Sequence, residues 1–108
     1  MHRFSRRTFL NRRGHHAGAY VLADVSVERE PAREPWVDAA LTVADCHRIA
    51  TLDFTFNTDA GRENALRKAR LLRDVVNAFT DALERAAEET TSSSDQAGAD
   101  TAVRVSVR

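Results

Sequence analysis

The residues best suited to chemistry are crowded at one end. Arg3, Arg6, Arg7, Arg12 and Arg13 fall within the first sixteen positions, which hold no acid, and His15 and His16 adjoin them. A guanidinium is planar and forks onto phosphate oxygens, so several in a small area make an electrostatic target for a phosphate backbone. Arg6, Arg7, Arg12, Arg13, His15 and His16 are therefore the candidate set for nucleic-acid or phosphate binding. Phe4, Phe9 and Tyr20 are the aromatics near enough in sequence to add stacking. The competing reading is a solvated hairpin neutralised by the acids between Glu28 and Glu34. Overall the 108 residues carry sixteen basic and sixteen acidic side chains, so the formal charge is zero and the asymmetry is local.

Other chemical combinations are sparser. Asp45 and His47 lie two apart and would share a strand face, where a carboxylate and an imidazole could hold one metal ion. A third ligand would have to come from His15, His16 or Asp24. Cys46 and His47 are adjacent, so on a strand they point to opposite faces and cannot form a thiolate–imidazole pair. Cys46 reads instead as a small buried side chain. Asp24, Asp45 and Asp53 could cluster for two-metal phosphoryl chemistry if strand register brought them together. The sequence holds no glycine-rich phosphate loop, nucleophile elbow or Cys/His zinc pattern. No cofactor is called for, and a metal-dependent hydrolase ranks behind non-enzymatic binding.

Cys46 is the only cysteine, which excludes an internal disulfide and fits a reducing cytoplasm. Ser5-Arg6-Arg7-Thr8-Phe9-Leu10 resembles a twin-arginine export signal, but Asn11-Arg12-Arg13 follows where an uninterrupted apolar segment is required. The expectation is a cytoplasmic chain with no membrane partner.

These side chains must be positioned by strands first and a helix second, with the hydrophobic period changing near Asn57. A first strand is expected over residues 3–11, with Asn11 to Gly18 as a hairpin tip. Val21, Ala23, Val25 and Val27 alternate with Tyr20, Leu22, Asp24, Ser26 and Glu28, which predicts a strand with the valines on the core face. Glu28 to Pro35 is charged and holds both prolines, so it reads as an exposed loop. Trp36 reads as core. Residues 39–56 are strand-like for about 60 Å at roughly 3.3 Å per residue. That is too long for one straight strand, so the segment must bend or split, with a bulge expected near His47 and Arg48. Ala44, Cys46, Ala50, Leu52, Phe54 and Phe56 share one parity there and read as core.

Asn57, Thr58 and Asp59 are possible N-caps for a helix over residues 62–89. Ala65, Ala69, Leu72, Val76, Phe79, Leu83 and Ala86 form a stripe expected to pack on the sheet, and Glu63–Arg67 and Asp81–Arg85 are expected i,i+4 pairs. Leu71, Val75, Ala78 and Ala82 form a second stripe, too apolar to be left in water, and are the candidate interface residues. Residues 90–108 read as a low-complexity linker that ends, over 102–108, in either a short edge strand or a frayed tail. The expected architecture is α+β: one domain over residues 1–89, with an antiparallel sheet of three to four strands in the order β-β-β-α packed on one long amphipathic helix. The expected function is a small protein-interaction module acting as a homodimer, with a nucleic-acid-binding or regulatory protein as the alternative.

Overall fold

A computed structural model describes residues 1–15 and 18–95, with side chains of the last helical turn described as far as residue 91. Four strands, β1 (His2–Phe9), β2 (Ala19–Glu30), β3 (Arg33–Asp45) and β4 (Arg48–Asp53), precede one helix, α1 (Asp59–Asp95). The strands form a single antiparallel meander in the order β1-β2-β3-β4. The α+β class, the antiparallel sheet and the single long helix all match the expectation. The chain divides into two compact units, Met1–Arg70 and one that begins at Leu71.

The fourth strand arises where the long segment was expected to bend. It splits at a two-residue hairpin, Cys46-His47, between the paired Asp45 and Arg48. Cys46 takes φ 64°, the left-handed region at the first loop position, which glycine usually fills in a II′ connection. Its amide donates to the Gly18 carbonyl at 3.0 Å. Cys46 is consequently exposed, not buried in a core. The turn also corrects the parity reading. Ala44 lies opposite Ile49, whereas Ala50 and Leu52 lie opposite Val43 and Leu41. Two loop residues shift the relation between odd and even positions on the two sides, so the expected core set is distributed over both faces.

The segment Glu28 to Pro35 is likewise a hairpin, with Glu30 opposite Arg33 across Pro31-Ala32. Pro31 sits in the turn, and Pro35 falls where the register shifts between Glu28 and Glu30. A bulge is one of the few places where a ladder tolerates a missing amide hydrogen. Extended backbone then continues past β4, as Val37 and Phe56 exchange hydrogen bonds of 3.0 Å in both directions.

Paired residues across an antiparallel ladder project to the same side, so register assigns the faces. Val21, Ala23, Val25 and Val27 lie opposite Val43, Leu41, Ala39 and Val37, and Phe4 lies opposite Val25. This face is apolar. The other carries Tyr20, Leu22, Asp24, Ser26 and Glu28 with Thr42 and Thr51, whose hydroxyls are 2.9 Å apart.

Helix α1 begins earlier than expected because Thr58 is the cap used. Its Oγ1 accepts from the Gly61 amide at 3.0 Å, and its carbonyl takes the first helical bond from Arg62 at 2.8 Å. A Cβ at position 61 would lie 3.1 Å from that hydroxyl and 3.3 Å from the Phe56 Cβ, so glycine permits the close entry. Replacing Thr58 with alanine removes the acceptor and is expected to cost about 1 kcal/mol in urea unfolding, while Thr58→Ser stays within a few tenths. The helix continues through residues 90–95, where a linker was expected. The Thr90 and Thr91 hydroxyls donate to the Ala87 carbonyl at 2.9 and 3.1 Å, which occupies them without breaking the helix. Neither expected i,i+4 ion pair closes within 4.0 Å; Arg73 and Asp74 form a helical pair at 3.5 Å. The proposed strand over 102–108 lies outside the described residues.

The decisive feature is how little is buried. Among the described residues, only Ala19, Ala44, Ala65 and Ser26 fall in the buried class, and no large side chain is fully enclosed. The valines of the apolar sheet face are half-buried or, at Val43, 40% exposed. On α1 the stripe expected to pack on the sheet is buried at Ala65 and half-buried at Leu72. Val76, Phe79 and Leu83 are 50%, 63% and 55% exposed. A chain of this length ordinarily encloses a central set of Leu, Ile, Val and Phe, because only their burial offsets the entropy of ordering the backbone.

Candidate functional site

Two surfaces hold the sequence-derived candidates. The first is the β1–β2 hairpin. Arg6 lies opposite Ala23 and Arg7 opposite Leu22, so the two arginines project to different faces of the sheet. Arg6 reaches the Phe4 ring at 5.7 Å and Arg7 the Tyr20 ring at 5.8 Å, and Phe9 meets Tyr20 edge-on with centroids 6.2 Å apart. Arg7, Phe9 and Tyr20 thus form one cationic-aromatic group, while Arg6 belongs to the opposite side. A register shift between His2 and Phe4 places Arg3 at a bulge on this edge strand.

Arg12 and Arg13 lie in the connection, where the His15 amide donates to the Arg12 carbonyl at 3.0 Å and Gly14 adopts φ 90°. His16 lies outside the described residues. Among the described residues, no acid comes within 4.0 Å of Arg3, Arg6, Arg7, Arg12 or Arg13 to form an ion pair. The acids near Glu28 cannot neutralise the connection. The ladder places Glu28 at the opposite end of β2, roughly 30 Å from Ala19 at about 3.3 Å per residue.

At that far end a polar row crosses the sheet. The Ser26 hydroxyl donates to Glu28 Oε2 at 2.7 Å, and this bond holds the Glu28 carboxyl below the usual glutamate range. The Met1 ammonium lies 3.6 Å from the same carboxylate. His2 Nδ1 approaches Asp24 Oδ1 to 3.4 Å without hydrogen-bond geometry, and that oxygen is otherwise shielded and unbonded. Asp53 is also held below the usual aspartate range, chiefly by hydrogen bonding from Thr55, whose amide donates to Oδ1 at 3.1 Å.

The second surface is the helix. Leu71 and Val75 are 47% and 65% exposed, and Ala78 and Ala82 are exposed with them. The exposed Val76, Phe79 and Leu83 widen the band beyond the four candidate residues.

The metal candidates separate: Asp45 ends β3, whereas His47 sits in the turn after it. Among the described residues, no group of three or more His, Cys, Asp or Glu side chains is placed to hold a metal ion. Asp24 lies opposite Ala40, which itself lies opposite Asp53, so these two acids share a face. Asp45, opposite Ala19, is on the other face, so the triad does not assemble.

Three contacts were not anticipated from sequence. Lys68 donates from Nζ to the Asp53 carbonyl at 2.7 Å and sits 4.9 Å from the Phe54 ring centre, tying the first turns of α1 to the end of β4. Arg33 stacks over Trp36 at 3.8 Å, which leaves the indole half-buried rather than in a core. An open groove of about 340 Å³ is lined by Val27, Trp36, Val37, Phe56 and Arg62, among others. Only Lys68 carried a sequence signal, as the single lysine among sixteen basic residues. Among the described residues, no helix is long and apolar enough to cross a membrane. Comparison with family models, curated proteins and solved structures finds no match to the chain.

Proposed function

We propose that this chain is a small, non-enzymatic protein-interaction module that acts as a homodimer. The observation that carries the reading is exposed apolar surface on the helix, with few side chains buried among the described residues. Among the described residues, three alanines and a serine make up the buried set, while Leu71, Val75, Val76, Phe79 and Leu83 face solvent on one side of the helix. A contiguous exposed apolar band of this kind marks an association surface in a water-soluble chain. Association buries the band that the described residues leave exposed. Sedimentation velocity at tens of micromolar tests this, with twice the 12.0 kDa of one chain expected. A monomer across that range sinks the homodimer.

A second reading rests on the β1–β2 hairpin. Arg7 beside Tyr20 and Phe9, with Arg12 and Arg13 in the connection, combines cationic charge with stacking surface. Such a surface suits a nucleic-acid backbone and unpaired bases. If about five phosphates are engaged, affinity for a random single strand should fall roughly 10²- to 10³-fold between about 50 and 200 mM salt. Binding insensitive to salt, or none, removes this reading and leaves the homodimer untouched.

A further inference from the structure

Helix α1 carries its charge in two opposed halves. From Asp59 to Arg73 there are five cations, Arg62, Arg67, Lys68, Arg70 and Arg73, against two acids. From Asp74 to Thr91 there are five acids, Asp74, Asp81, Glu84, Glu88 and Glu89, against the single cation Arg85. This is the reverse of what an isolated helix prefers. The partial positive charge at a helix N-terminus favours acids and the C-terminus favours cations, by about 0.3–1 kcal/mol each. Here Asp59 is the only acid of the first turn, and the last turn has no base. The pattern therefore works against the helix that carries it.

It suits an antiparallel pair of such helices. Running the second copy in the opposite direction sets each cationic half beside an acidic half, whereas a parallel pair sets like beside like. The apolar band shares this symmetry. At about 100° per residue, the two stripes from Ala65 to Ala86 cover close to half the circumference. An antiparallel pairing centred between Val75 and Val76 sets Leu72 against Phe79. Small side chains at Ala69, Ala78 and Ala82 allow close approach of the backbones. Arg67 and Asp81 border the band on one side, and Arg73 and Glu84 on the other. A twofold contact of this kind is isologous, the same patch meeting itself.

We infer that the occupant of the exposed α1 band is the α1 helix of a second copy of this chain, docked antiparallel and aligned by the opposed charges of its two halves. This rests on the homodimer reading and specifies its geometry. The test uses two variants of the 108-residue chain, each carrying Cys46→Ser, one with Leu72→Cys and the other with Phe79→Cys, the two positions that the pairing sets face to face. Oxidised together they should give a disulfide-linked heterodimer, and oxidised separately neither should link to itself. Self-linking of either variant alone overturns the antiparallel arrangement. Dimers by sedimentation that never cross-link place the contact elsewhere and also overturn it, while the homodimer stands; a monomer ends both.

A second pair of variants covers a cysteine change that disturbs folding. Arg67→Glu with Arg73→Glu, and Asp81→Arg with Glu84→Arg, each turn attraction into repulsion in an antiparallel pair. Each should self-associate about tenfold more weakly at low salt, and an equimolar mixture should recover. Unchanged self-association of both variants overturns the charge-directed pairing.

Discussion

Replacing Phe79 with aspartate is expected to raise the dimer dissociation constant by at least about 100-fold. In a lone chain the substitution would matter little, since the ring is 63% exposed and surface changes usually stay within about 0.5 kcal/mol. In a twofold helix pair the ring is lost twice. Burying a phenylalanine is worth about 1.5–3 kcal/mol, and a buried carboxylate without a partner adds its own penalty. A loss of about 3 kcal/mol or more corresponds to the stated factor. Asn77→Asp adds the same charge on the polar side of the helix and serves as the control. Sedimentation equilibrium of both variants decides the matter. Equal dissociation constants would show that Phe79 is not in the contact.

The second large effect is on thermal stability. If association supplies the missing core, folding and dimerisation are one equilibrium, and each tenfold dilution removes about 1.4 kcal/mol per dimer. For a folding unit of roughly 200 residues, a change of this size moves the Tm by about 3–5 °C. Circular dichroism melts from about 1 to 100 μM should therefore separate by several degrees. Superimposed melts would mean that one chain is stable alone, and the three buried alanines would then need another explanation.

Much of the fold was legible because local periodicity reports local structure. The valine alternation from Val21 to Val27 marks β2, and the 3.6-residue spacing from Ala65 to Ala86 marks α1. Thr58 was among the three caps that the sequence offered. The misreadings concentrate where pairing, not composition, decides. Pro31 and Pro35 looked like a break in the sheet, yet one occupies a two-residue turn and the other a register shift, positions where a missing amide hydrogen costs little. Cys46 looked buried by parity, but it occupies a turn with positive φ. That turn exchanged the faces of the strand segments on its two sides.

The candidate sites divide in the same way. Clustering of Arg3, Arg6, Arg7, Arg12 and Arg13 is a property of the sequence, and so is their distance along the chain from the acids at Glu28 and Glu30. Which arginine meets which aromatic is set by β1–β2 register, because Arg6 and Arg7 fall on opposite faces and only Arg7 reaches Tyr20. The separation of Asp45 from His47 depends equally on where the hairpin turns.

The sequence by itself determined the α+β class, the long helix, the basic end and the double apolar stripe, since each is written in the spacing or clustering of neighbouring residues. Tertiary structure alone decided how much of that apolar surface the chain covers. Burial depends on what other segments bring against a stripe, and among the described residues much of the helical band remains exposed from Leu71 to Leu83.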